Sequence, residues 1–148
     1  MTCGVRLHAA GNIPQKSLPA RSPLRKLAPK RSPDMRMWML PPESLCRRHL
    51  LGEHVELHML LGAMRRGTNL RGFLEGGLID PRRLYERHEQ LAREMERRGY
   101  HHRSPLDEAE CRAAARRYEG THARVDAEAN ARELKRRCPD CARRLLSS

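Results

Sequence analysis

Apolar residues along this chain recur at helical rather than strand spacing. Between Glu43 and Arg66, Leu50, Leu51, Val55, Met59, Leu60, Ala63 and Met64 fall at the intervals that bury one broad helix face. The pattern predicts a long first helix over 43–66, stopped by Gly67, a residue at ease in the left-handed cap conformation. A second helix is marked more sharply. Asp80 can cap it, Pro81 suits its first turn, Leu84, His88, Leu91 and Met95 form a stripe, and Gly99 ends it. The Gly-rich stretch Thr68–Ile79, anchored by Leu70, Phe73, Leu74 and Leu78, reads as loop and short helix. Two further helices are expected over Asp107–Tyr118 and Thr121–Arg137, and no segment alternates as a strand would. The expected fold class is all-α, a compact helical single domain with two long helices.

The first 34 residues differ in texture. They hold five of the ten prolines and seven basic side chains against one acid, with no apolar periodicity. Proline at that density removes backbone donors and blocks helix, so residues 1–34 are expected to form a disordered basic extension. They also lack the contiguous apolar centre of a secretory signal. No run in the chain approaches the ~18–20 apolar residues of a membrane span, which excludes an integral membrane protein. The net charge of +12 points to an anionic partner, nucleic acid before a membrane surface. Half of that excess lies in the extension: residues 35–148 carry 23 basic and 17 acidic side chains, a net +6.

Candidate chemistry concentrates on the first helix. At ~100° per residue, Cys46, His49, Glu53 and Glu56 share an arc of about 80°. Two carboxylates so close would push at least one toward a raised pKa, as acid–base chemistry requires; the plain alternative is the exposed side of an amphipathic helix. Cys46 with His49, and His54 with His58, also have helical metal-ligand spacing. HVELH nevertheless places its glutamate wrongly for a zincin. An amine nucleophile would be scarce. Of four lysines three lie in the extension, leaving Lys135 or a chain terminus.

The run Met35-Arg36-Met37-Trp38, then HLLGEHVELHML and RHEQLAREMERRGYHHRSPL, resembles the pyrimidine-dimer DNA glycosylase family typified by the small T-even phage repair enzyme. The resemblance covers about Met35–Leu106, with His49, Glu53 and Glu56 at the family's spacing and Glu94, Arg98, Gly99 and Tyr100 closing the later helix. It implies an all-α, metal-independent enzyme whose N-terminal α-amine attacks the anomeric carbon, displaces the base and forms a Schiff base, after which a glutamate assists β-elimination. Carried over, Met35 supplies the amine, Glu56 is the catalytic carboxylate, and His49, Glu53 and Arg36 support it. Arg65, Arg66, Arg71, Arg87, Arg97 and Arg98 are the expected phosphate contacts. Val55 and Met59 stand where the phage enzyme has arginines on its DNA-contacting face.

The resemblance begins at Met35, yet 34 residues precede it, and an amide nitrogen cannot form a Schiff base. The expectation is therefore a functional start at Met35, retained because Arg36 is bulky. Residues 35–106 form the glycosylase-like core and 107–148 a helical C-terminal extension ending in Cys138-Pro-Asp-Cys141. That CxxC reads as half a zinc site, a redox pair or a plain helix end. Cys46, Cys111, His122 and His101–His102 are further ligands at hand. No cofactor is expected, with zinc at Cys138 and Cys141 left open. Trp38 is a packing group or a DNA wedge, and His101, His102 and Arg103 line either a DNA surface or a solvated loop. The expected partner is lesion-bearing double-stranded DNA, met by a monomer in the cytoplasm at the nucleoid. The rival from another class is a non-catalytic basic helical module that binds nucleic acid or a protein.

Overall fold

The computed structural model describes residues 35–148, and the disordered extension expected over 1–34 lies outside the described residues. Six helices follow in order: α1 (Arg47–Arg65), α2 (Arg71–Glu75), α3 (Leu84–Arg97), α4 (Glu108–Ala115), α5 (Ala127–Arg137) and α6 (Pro139–Leu146). Short 3-10 turns occupy Pro42–Ser44, Pro81–Arg83 and Arg116–Tyr118. No strand occurs among the described residues, and the fold is all-α. Among the described residues no helix is long and apolar enough to cross a membrane.

The starts and stops have local causes. Asp80 accepts from the Arg82 amide, Asp107 from that of Glu110 and Asp126 from that of Ala129, satisfying donors a helix leaves open. Gly67 (φ 67°) and Gly99 (φ 78°) close α1 and α3 in the left-handed region, as expected. Three boundaries differ from expectation. The Pro41–Pro42 pair holds Glu43 in a 3-10 turn, so α1 begins only after the extended Cys46. The Asp126 cap delays α5 to Ala127. The CxxC is not the tail of the last helix: extended Cys138 ends α5 and Pro139 opens a sixth helix.

The core sits between α1 and α3, with α4 laid across both. Leu50, Leu57, Leu60, Leu84, Leu91 and Leu134 are wholly buried in one cluster, each stabilising by about 1.5–3 kcal/mol before ordering costs. Val55 and Met59, expected in the core, are instead 55% and 41% exposed. They lie roughly 140–180° around α1 from Leu50, on the face turned from α3. Beside this core runs the extended segment 35–40. The Met37 amide donates to Leu78 O at 2.8 Å and the Trp38 amide to Glu53 Oε1 at 2.9 Å. Asn130 of α5 donates from Nδ2 to Met37 O (3.0 Å) and Trp38 O (3.1 Å). The N-terminal segment is thereby held on both sides.

Candidate active site

A cleft of about 260 Å³ opens where the N-terminal segment crosses α1. Arg36 and Trp38 come from the segment, Arg48, His49, Gly52, Glu53 and Glu56 from α1, and Arg137 from the end of α5. The Arg36 amide donates to Glu56 Oε2 at 3.3 Å, which sets that carboxylate beside the start of the segment. Met35 itself is buried. The Arg36 guanidinium lies 5.0 Å from the Trp38 ring centroid and donates to Asn130 Oδ1 at 3.3 Å. Trp38 is 6% exposed and meets His49 edge-on at 5.8 Å, so it packs into the core while forming part of the cleft wall.

Glu53 shares the cleft wall but has another task. Arg87 grips it with two bonds of 2.8 Å, one to each oxygen, and both side chains are buried. With the Trp38 amide on Oε1 as well, this carboxylate positions the N-terminal segment and is balanced by its own cation.

The pairing corrects one expected phosphate contact. Arg87 donates to Glu53 and to Gln90, is 1% exposed, and cannot reach DNA. Arg98 is a second correction. Its side chain is only 9% exposed, bonded to Glu94 at 2.6 Å and to the carbonyls of Pro42, Glu43 and Leu45. It ties the end of α3 to the entrance of α1. Arg65, Arg66, Arg71 and Arg97 are exposed, with Arg65 paired to Glu110, Arg71 to Glu75 and Arg97 to Glu94. Arg48 and Arg137 in the cleft, and Asn130 behind it, escaped the sequence reading. Arg48 carried a detectable signal, being one residue before His49; Arg137 and Asn130 come from 81 or more residues away and carried none.

The family model for pyrimidine dimer DNA glycosylase matches residues 35–108. The chain belongs to the pyrimidine dimer DNA glycosylase family. Comparison with curated proteins found no match, and comparison with solved structures found none either. The matched residues contain the N-terminal segment, α1, α2 and α3, so all but one of the residues around this glycosylase cleft fall inside the match. Arg137 is the exception; it joins Arg36 and Arg48 in lining the cleft and is paired with Glu133.

Two clusters of potential metal ligands flank α1 of the glycosylase. Cys46, His49, Cys138 and Cys141 bring their ligand atoms within 4.8 Å of one another, as do His54, His58 and His88. Of the further ligands expected for the CxxC, the structure brings Cys46 to it and leaves Cys111, His122, His101 and His102 elsewhere. Burial, then Arg48 and Arg137, lowers the pKa of His49. His54 is lowered to about 4 by burial, then by His88, His58 and His102. His102, half-buried in an irregular segment, reaches this second cluster with Nε2 3.0 Å from that of His54.

Proposed function

We propose that this chain excises pyrimidine dimers as a DNA glycosylase with abasic-site lyase activity, through the α-amine of Met35 in a chain that begins there. The observation that carries the reading is the hydrogen bond from the Arg36 amide to Glu56. Glu56 Oε2 lies 3.3 Å from the Arg36 nitrogen, which is itself one residue, at most about 3.6 Å of chain, from the Met35 nitrogen. An α-amine has a pKa near ~8, so a useful fraction is neutral and nucleophilic at pH 7, whereas a lysine near ~10.4 is almost wholly protonated.

The chemistry then runs in two stages. The Met35 nitrogen attacks C1′ of the damaged nucleotide, and the bond from C1′ to the base breaks with its electron pair leaving on the base. Glu56 faces the positive charge that gathers on the sugar. The nitrogen sheds one proton, and its lone pair forms the C1′=N bond as the C1′–O4′ bond breaks with its pair on O4′, which takes up a proton. The product is a C1′=N iminium that keeps one N–H. Glu56 then accepts a C2′ proton, and the released pair expels the 3′ phosphate. Arg36, Arg48 and Arg137 hold the backbone at the cleft, with exposed Arg65, Arg66, Arg71 and Arg97 extending the grip. Glu53 orients the segment through Trp38, and His49 supports the cleft wall. Extruding a lesion costs a few kcal/mol and is cheapest where stacking is already damaged. The enzyme acts on duplex DNA as a monomer in the cytoplasm, at the nucleoid.

Borohydride trapping on abasic-site DNA tests this. A chain beginning at Met35 is expected to give a covalent adduct, which Glu56→Gln still forms while losing strand scission. The 148-residue chain, whose Met35 nitrogen is an amide, is expected to give none through that atom. Tight DNA binding with no adduct from either form would replace the reading with a non-catalytic binding module.

A further inference from the structure

We propose that Cys46, His49, Cys138 and Cys141 bind one zinc ion. Zinc bonds of ~2.3 Å to sulfur and ~2.0–2.1 Å to nitrogen make a tetrahedron with S–S edges of about 3.8 Å and S–N edges of about 3.5–3.6 Å. Cys46 Sγ lies 3.9 Å from Cys138 Sγ and 3.2 Å from His49 Nδ1, and Cys141 Sγ lies 3.4 Å from the same nitrogen. Three thiol sulfurs and one imidazole nitrogen thus already stand at the corners a single ion needs. The Cys46 amide donates to Cys141 Sγ at 3.2 Å, a bond that favours charge on that sulfur. Cys141 is completely buried, so its sulfur meets the other three donors and no solvent.

Four protein ligands close the site, so the ion is structural rather than a Lewis acid for substrate. Its ligands come as two pairs of i and i+3, one at the start of α1 and one across the α5–α6 junction. The ion therefore staples the C-terminal helices to α1. It also fixes Arg137, the residue before Cys138, in the cleft opposite Glu56.

Metal analysis of the 148-residue protein, purified without a histidine tag, tests the assignment independently of any glycosylase chemistry. One zinc per chain bound through these sulfurs is expected. Cobalt in its place should show thiolate-to-metal absorption and the visible bands of a tetrahedral site. Cys138→Ser with Cys141→Ser should lose the thiolate-to-metal absorption, while Cys111→Ser keeps it. Should the double variant fail to fold, the cobalt spectrum of the unaltered protein still decides. Absence of metal together with no thiolate–cobalt absorption on titration would overturn the proposal.

A different set of donors carries a second site. We infer that His54, His58, His88 and His102 form an all-imidazole site for a divalent late transition metal. His54 Nε2 lies 3.1 Å from His88 Nε2 and 3.0 Å from His102 Nε2, and His58 Nε2 is buried with no hydrogen-bond partner. The Glu89 carboxylate stands 3.1 Å from His88 Nδ1. Glu89 accepts from Nδ1–H, the carboxylate–imidazole relay that orients metal ligands, while Nε2 meets the Ser104 carbonyl at 3.2 Å, a contact that a metal on Nε2 would replace. Zinc titration of the same tag-free protein should show a second equivalent bound, unaffected by Cys138→Ser with Cys141→Ser and lost in His102→Gln, a half-buried position that tolerates the change. Titration that saturates at the thiolate ion alone, with the histidine ring resonances unmoved, would overturn it.

Discussion

Glu53 accepts from Arg87 twice and from the Trp38 amide, all in a buried setting, whereas Glu56 faces the cleft and accepts from the Arg36 amide. Neutralising each should therefore do different things. Glu53→Gln leaves the buried Arg87 charge uncompensated, at a cost of about 3–5 kcal/mol. Glu56→Gln keeps an acceptor for Arg36 and should cost less than about 1 kcal/mol. Urea unfolding of the two variants checks this, and equal losses would make Glu56 a structural residue. The exposed pair Val55 and Met59 bears on DNA affinity. Each lies on the α1 surface that adjoins the Glu56 face, where an added cation would meet phosphate. Val55→Arg is expected to leave stability unchanged and to steepen the dependence of log K on log salt by about 0.9, the yield of one more phosphate contact. Binding isotherms across a salt series measure the slope.

At the scale of elements, α3 was the most legible: its cap, its first-turn proline and its terminal glycine all act through neighbours in sequence. The start of α1 was less so, because the prolines that hold Glu43 in a 3-10 turn act against an otherwise continuous apolar pattern. The break at Cys138 was missed for a similar reason, since a proline suits a helix start as well as a stop. What joins the elements was not legible at all. Arg98 of α3 grips three carbonyls around the entrance of α1, held there by Glu94. Arg97 first, then Arg98, hold the Glu94 carboxyl below its usual range against the opposing effect of burial. A depressed pKa means that the unfolded chain takes up the proton first. The stabilisation is thus complete above the ordinary value of 4.5 and is lost as pH falls through the folded one. Glu94→Gln should cost about 1–3 kcal/mol at pH 7, and the gap between variant and parent should narrow below about pH 4.5 in urea titrations.

For the molecule as a whole, the family match ends at residue 108, but the machinery does not. Short-range spacing along α1 sufficed to nominate His49 and Glu56, and the family resemblance added Arg36. Partners such as Asn130 and Arg137 reach the cleft only through tertiary packing, which leaves no spacing to read. Tyr118, Leu134 and Cys141 belong to the same buried cluster as Leu50 and Leu91. Asn130 satisfies the carbonyls of Met37 and Trp38 from the far side of the N-terminal segment. Removing 107–148 would expose that face of α1 and α3 and strand both carbonyls, each lost partner costing about 1–3 kcal/mol. With the lost burial of Tyr118 and Leu134 added, at about 1.5–3 kcal/mol each, the loss is comparable to the whole net stability of about 5–15 kcal/mol expected of a domain. Residues 35–106 alone are therefore expected to show no cooperative thermal transition and no DNA adduct, while residues 35–148 show both. Asn130→Ala in the longer chain should lower stability by about 1–3 kcal/mol and weaken trapping more than the fall in stability explains, because it loosens the segment that carries Met35. Calorimetry and trapping on the same preparations separate the two effects, and a cooperatively folded, reactive 35–106 fragment would show that the extension is dispensable.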